Sequence, residues 1–411
     1  MASYGEHTED LTDSSYAWGR LAISLLLATI GGIGLWSVII ALPVVETAFG
    51  VDRGGASLPY TATMVGFAVG GIAMGRLSDR FGIRVPLMLA GVFLCAGYVL
   101  ASQAQSLWQF IAAQALLIGM LGSSATFGPL VADVTHWFRR RRGIAVAIVA
   151  SGNYLAGTVW PPVLTWLIET YGWRDAHMTV GIFCVVTMLP LAMLLKRRAT
   201  LEDPLAATGT ATFGSMTAGL SPRTLQILLV LAGLSCCIAM SMPQVHIVAY
   251  CADLGFASEA GATMLSLMLG FGVISRLISG IIADRIGGVG TLLLGSTLQC
   301  IALLFYLPFD GLTSLYVVSA MFGLSQGGIV PSYALIVRDY FKASEAGWRV
   351  SLVLMATIVG MAIGGWVSGE IYDITGSYAA AFMNGVIFNL LNMSLALWLL
   401  LSRRPRKPQT A

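Results

Sequence analysis

The sequence predicts an all-α membrane protein of twelve spanning helices arranged as two six-helix bundles. Three observations predict it: an apolar composition, apolar runs of membrane-crossing length, and a motif that recurs half a chain apart. Of 411 residues, 57% are hydrophobic and 10% are charged, and the mean hydropathy is +0.81. A globular domain carries about 25% charged residues, so most of this chain's surface must face a solvent other than water. A lipid bilayer fits, and each crossing of its ~30 Å hydrocarbon core takes about 20 apolar residues.

Runs of that length fall near residues 20–45, 57–75, 85–102, 107–133, 143–167 and 176–195, and again near 224–250, 258–282, 289–307, 312–337, 348–371 and 379–401. The first and fourth exceed one crossing, which leaves room for tilt or for extension past the lipid. The opening residues are polar and acidic (Glu6, Glu9, Asp10, Asp13) and lack the basic region of a secretory peptide. The first span is therefore expected to be retained as a signal anchor. Cys95, Cys184, Cys236, Cys237, Cys251 and Cys300 lie in or beside apolar runs without a Cys-x-x-Cys pair. That pattern fits packing residues rather than disulfides or a metal centre.

Basic residues set an orientation. Of 23 Lys and Arg residues, 20 lie at one side of the predicted layout: Arg20, Arg223, Arg285, the clusters Arg76–Arg84, Arg139–Arg142, Lys196–Arg198 and Arg338–Arg349, and the tail from Arg403. Only Arg53 and Arg174 fall on the other side, and Arg276 sits inside a span. The positive-inside rule then places both termini in the cytoplasm, and a plasma (inner) membrane location is expected. Topology accounts for the basic loops, which lack interleaved aromatic platforms, so no nucleic-acid partner is implied.

The loop after the second run reads Gly75-Arg-Leu-Ser-Asp79-Arg80-Phe-Gly82, and the loop after the eighth reads Gly280-Ile-Ile-Ala-Asp284-Arg285-Ile-Gly287. Gly, Asp, Arg and Gly recur at identical spacing, which implies two six-span halves in the same orientation. The expected layout is a cytoplasmic tail at 1–17, one bundle at 18–196, a cytoplasmic linker at 197–222, a second bundle at 223–402 and a basic tail at 403–411.

On these motifs the chain resembles the major facilitator superfamily, whose signature loop lies between spans 2 and 3 and again between 8 and 9. The resemblance implies a gating role for Gly75, Asp79, Arg80, Gly82, Gly280, Asp284 and Arg285, with the loop latching one conformation shut. The glycines suit a tight turn and close helix approach, and the carboxylate suits a helix N-terminus.

Arg276 is the central candidate. It precedes Asp284 by eight residues, about 12 Å along a helix of ~1.5 Å rise per residue, which puts it near the bilayer midplane. A guanidinium there costs on the order of 2.5–3.5 kcal/mol, so it should face a cavity or a partner. Gly272, Ser275, Ser279 and Gly280 beside it are small and are expected to leave room next to the guanidinium, while Ile274, Ile278 and Ile281 suit lipid or packed helices. No acid lies well inside the second half's spans, which makes an anionic cargo the candidate counter-ion. The rival reading is a structural ion pair. The planar fork of Arg suits a carboxylate.

Phe271-Gly-Val-Ile-Ser-Arg276 followed by Asp284 resembles span 8 of the monocarboxylate transporter and oxalate–formate exchanger branch. Trp137-Phe138 before a basic run and Gly143 is similar to the branch's linker between spans 4 and 5. Ser151-Gly152-Asn153 with Gly157 and Pro161-Pro162 is similar to its span 5. Pro243 to Tyr250 with Asp253-Leu-Gly255 is similar to the end of its span 7. The resemblance implies a secondary transporter of a small organic anion, lactate- or pyruvate-like, working by proton symport or by exchange. It departs from the branch at Gly272, where animal members commonly carry Asp, at the opening of span 1, and in having no span-11 lysine. The missing second cation favours monoanions over dicarboxylates.

Further substrate-binding candidates are Asn153 and Tyr154 in span 5, Gln326 in span 10 and Tyr333 two turns beyond it. His246, Asp253 and Glu259 are candidates for proton coupling, since an imidazole titrates near neutrality. Asp133 is expected to pair with Arg139–Arg142. Serine and threonine at 123, 124 and 126 are expected to pack helices. No metal spacing, P-loop or nucleophile motif appears, so no cofactor and no enzyme is implied. Two other functions stay open: export of drugs or amphiphiles, against which Ala115 replaces the arginine of the antiporter motif, and a sensor of transporter shape. The expected partners are the bilayer, an organic anion and protons; the sequence sets no oligomeric state.

Overall fold

The structure, a computed structural model, describes residues 11–138, 140–197, 221–341 and 343–402. Most of the expected linker and the basic tail lie outside the described residues. Those described are helical, with no strand among them. Eleven helices are long and apolar enough to cross a membrane: α1 Ser15–Ile40, α2 Arg53–Phe81, α3 Arg84–Ser102, α4 Leu107–Thr135, α5 Ile144–Tyr171, α6 Trp173–Leu194, α7 Pro222–Asp253, the run Ser258–Phe305, α10 Leu312–Val337, α11 Arg349–Thr375 and α12 Tyr378–Leu401. A helix the length of Ser258–Phe305 would span about 70 Å, over twice the hydrocarbon core. It is broken at Gly287 (φ 76°, ψ 172°). The run is therefore two crossings, α8 before the break and α9 after it, and the total among the described residues is twelve.

Gly82, the matching glycine of the first repeat, has nearly the same backbone (φ 80°, ψ 161°). Both occupy a region essentially confined to glycine, so the motif repeats in conformation as well as in sequence. Helix starts follow local capping chemistry. Asp52 accepts from the Gly55 amide at 2.7 Å to start α2, and Ser221 accepts from Thr224 at 3.1 Å ahead of Pro222 in α7.

Small residues let backbones meet where no apolar driving force separates protein from lipid. On α2, a Cβ at Gly66 or Gly70 would fall 2.1 and 1.9 Å from the carbonyl oxygens of Ala115 and Met120. There α4 departs from regular α-helix, passing through a π segment Ala113–Gly122 and a 3-10 turn Ser123–Thr126. Ser123 donates to the Gly31 carbonyl at 2.7 Å, and Ser124 and Thr126 bond within α4. These three hydroxyls are packing groups, as expected.

The two halves meet mainly through α2 against α11 and α5 against α8. Along α2, Arg53 and Gly54 engage Asp373, and Thr61 donates to the Ala362 carbonyl at 3.0 Å. Farther along, Val65, Val69, Ile72 and Arg76 are exposed. The halves are thus pinned at the face opposite the termini.

Candidate functional site

Arg276 projects from α8 onto α5. Its Nη1 donates to the Ala150 carbonyl at 3.0 Å, beside the joint at Ser151 where α5 is interrupted. The guanidinium carbon lies 4.4 Å from the centroid of the Tyr154 ring, a cation–π distance. Its Nε is buried with no hydrogen-bond partner. Among the described residues no carboxylate lies within 4.0 Å of Arg276. A half-buried guanidinium with a buried donor left without a partner is costly in a low-dielectric setting.

Around it α10 presses on α8. A Cβ on Gly327 would fall 2.5 Å from the Arg276 amide nitrogen and 2.5 Å from the Gly272 carbonyl oxygen. Ser275 donates to the Leu324 carbonyl at 2.6 Å, and a Cβ on Gly328 would lie 2.3 Å from Ser279. The small residues Ser275 and Ser279 therefore accommodate α10, a correction to the expectation that they leave room beside the guanidinium. Gly272 is itself tightly covered: a Cβ there would lie 3.3 Å from the Gln326 amide nitrogen and 3.4 Å from the Tyr154 ring. Gln326 and Tyr154, the ring on which Arg276 stacks, thus meet at one glycine. Two shallow recesses flank α8, one lined by Ser279 and Ser325 and the other by Ser266 and Phe271; neither includes Arg276.

Gln326 is fully buried; it accepts from Gln244 of α7 and donates to the Met268 carbonyl at 3.3 Å. Gln244 was not singled out in the sequence, although a buried amide two residues before His246 is a legible signal. Asn153 faces α1: its backbone carbonyl accepts from Trp36 Nε1 at 3.0 Å, and its buried Oδ1, 3.7 Å from where a Cβ on Gly32 would lie, has no hydrogen-bond partner. Tyr333 stands apart within the second bundle, where its hydroxyl donates to Asn392 at 2.8 Å and Asn392 donates to Ser296 at 2.7 Å.

The three proton-coupling candidates separate. His246 and Asp253 join a cluster around Arg53 at the face opposite the termini, while Glu259 is exposed on the first turn of α8. Arg53 is 6% exposed. Its guanidinium meets Glu46 at 2.7 Å, Asp253 at 3.1 Å and the Tyr378 hydroxyl at 2.7 Å. The Glu46 contact is ionic rather than an aligned hydrogen bond, since Arg53 Nε has no such bond. Asp373 accepts from the Arg53 amide at 3.0 Å and from that of Gly54, capping α2 from the other half.

At the terminus-bearing end, Asp133 pairs with Arg20 of α1, through Nε and Nη2 at 3.0 and 2.9 Å. Among the described residues Asp133 thus pairs with Arg20 and not with Arg140 or Arg141 of the expected Arg139–Arg142; Arg139 and the Arg142 side chain lie outside the described residues. An acid shortly before a basic cluster points to its neighbours in sequence, but helix packing brings α1 closer. Arg20 also lies 4.5 Å from the Trp137 ring centroid. Asp79, Arg80, Asp284 and Arg285 are exposed and form no ion pair among the described residues. A Cβ on Gly75 or Gly280 would meet nothing within 4 Å. Among the described residues, then, neither signature carboxylate is paired or caps a helix, where a place at a helix N-terminus was expected.

The comparisons agree with this architecture. The model of the Major Facilitator Superfamily matches residues 24–313 and 283–411. Monocarboxylate transporter 13 of Bos taurus is 28% identical over 332 residues, 80% of this chain and 75% of that protein. An MFS-type transporter of Gibberella moniliformis is 29% identical over 318 residues, 75% of this chain and 74% of that protein. Among solved structures, a bacterial homolog of the human lysosomal transporter Spinster, inward-facing and occupied, superposes with a TM-score of 0.72. It shares 14% identity, with 95% of this chain and 97% of that chain covered. A mutant of the peptide transporter POT in complex with alafosfalin gives the same TM-score of 0.72 and 14% identity, over 94% and 95% of the two chains. Twelve crossings in two bundles, the repeated signature loop and the matched length together make this chain a transporter that belongs to the Major Facilitator Superfamily.

Proposed function

We propose that this transporter moves a small organic monoanion, of the lactate or pyruvate type, by alternating access. The observation that carries the reading is Arg276: a guanidinium inside a span, bonded to one backbone carbonyl and stacked on Tyr154, with no acid beside it among the described residues. A carboxylate would fill its vacant donors in the fork geometry Arg favours. Tyr154 and Gln326 supply an aromatic wall and an amide around Gly272, while Asn153 offers an unused oxygen nearer α1. The relatives named monocarboxylate transporters support the same chemistry.

The basic-residue bias supports cytoplasmic termini in a plasma membrane. In that orientation the Arg53 cluster closes the outer face, and signature carboxylates without an ion pair among the described residues mark an inward-facing state. Uptake of labelled lactate, pyruvate and acetate into proteoliposomes tests the reading. Carboxylate accumulation is expected, faster with an inside-alkaline gradient if a proton travels along. Competition by amphiphilic drugs with no carboxylate uptake would contradict it.

A further inference from the structure

The Arg53 cluster holds more acid than base. Glu46 faces Arg53 from the short helix Leu42–Phe49 that follows α1, Asp253 faces it from the end of α7, and Asp373 binds the Arg53 and Gly54 amides from α11. Tyr372 and Tyr378 cover the guanidinium at 4.8 and 5.8 Å. Glu370 accepts from Trp366 at 2.9 Å, and its carboxyl fills the place a Cβ on Gly54 would take. Asp52 is engaged with the start of α2. Behind Tyr378 lie Tyr250 and His246.

Arg53 Nη1 donates to the Tyr378 hydroxyl, that hydroxyl shares a 3.2 Å hydrogen bond with His246 Nδ1, and His246 Nε2 donates to the Gly365 carbonyl at 2.7 Å. Both imidazole nitrogens thus have partners, and the carboxylates are the groups of the cluster that face Arg53 with charge to neutralise. Three carboxylates around one guanidinium leave excess negative charge in a partly desolvated place, and all the partners of Arg53 but Glu46 come from the other half.

We propose that this cluster is a proton-loaded latch: closing the face opposite the termini takes up one proton on Glu46, beside Asp253 and Asp373, and reopening releases it to water. Burial is the main influence pushing the Glu46 carboxyl above its ordinary range; Arg53 opposes it, and Asp253 and Asp373 add to it. The sign follows from linkage. Glu46 binds its proton more tightly in the closed state than when solvated, so closure is favoured as pH falls on that side and is weakened as pH rises through the closed-state value. The latch rests on no assumption about the cargo. It rests on the orientation proposed above only for which compartment's pH acts.

The test is a spin-label distance across that face, between Thr47→Cys and Ser258→Cys in a background freed of reactive native thiols. In detergent, lowering the pH from about 8 to about 5 should raise the closed-to-open ratio by up to about tenfold per pH unit, the slope for one proton. Glu46→Gln should fix the short distance at high pH and flatten the response. Arg53→Gln should populate the long distance at every pH, with Arg53→Lys intermediate. A ratio that ignores pH in the unmodified protein, or a Glu46→Gln variant that titrates as the unmodified protein does, would overturn the proposal. Because no substrate is present, failure here is distinguishable from failure of the anion reading.

Discussion

Replacing Arg276 by Ala is expected to lower carboxylate uptake by about ten- to a hundredfold, the loss of hydrogen bonds to a charged group worth about 1.5–3 kcal/mol. Arg276→Lys should recover only part of it. An ammonium keeps the charge but lacks the planar fork and the stacking on Tyr154, at 4.4 Å in the native protein. Neither variant should unfold the protein, because the side chain makes one backbone hydrogen bond and no ion pair among the described residues. Gly272→Asp acts on the same group from the opposite direction. It puts a carboxylate one helical turn before Arg276, where it can neutralise the fork. Uptake should then require acidic pH, which protonates the new acid and frees the guanidinium. Unchanged uptake by all three variants in the proteoliposome assay would remove Arg276 from the site.

Arg20→Ala should be the most damaging single substitution for stability in the first bundle. Arg20 is 3% exposed and binds Asp133 through two nitrogens at 3.0 and 2.9 Å. Removing one member of a buried pair strands the other charge and costs about 3–5 kcal/mol. For a bundle of this size that corresponds to a fall in melting temperature on the order of 10 °C. Arg20→Ala combined with Asp133→Asn should regain much of the loss, since no uncompensated charge is then buried. Thermal melting of the purified variants in detergent measures this; an Arg20→Ala protein that melts with the unmodified one would show that the pair contributes nothing.

Helix number was legible because a spanning helix leaves a long one-dimensional trace: about 20 apolar residues bounded by Gly, Pro or charge. At Gly287 the boundary was legible as well: Asp284 and Arg285 separate the runs near 258–282 and 289–307, although the backbone there turns on a single glycine. Arg276 was legible because a lone charge in an apolar run stands out, and Tyr154 because it shares a span with Asn153. Polar pairs that cross between helices were not. Arg20 and Asp133 lie on α1 and α4, Gln244 and Gln326 on α7 and α10, and Arg53 reaches Asp253 and Tyr378 from the opposite half. Sequence spacing carries no record of such partners; they follow from which helix faces meet. Arg53 read as a stray basic residue on the wrong side of the membrane, and packing turns it into the pin of that face.

The most direct measurement of the central claim pairs a charge on the protein with a charge on the ligand. Calorimetric titration of the purified protein with a small carboxylate and with its isosteric amide, repeated on Arg276→Gln, gives a coupling free energy between the two charges. The unmodified protein is expected to bind the carboxylate at least about tenfold more tightly than the amide, a difference of about 1.4 kcal/mol, and Arg276→Gln is expected to abolish the preference. Equal affinity for both ligands, or a preference that survives the substitution, would contradict the role given to Arg276.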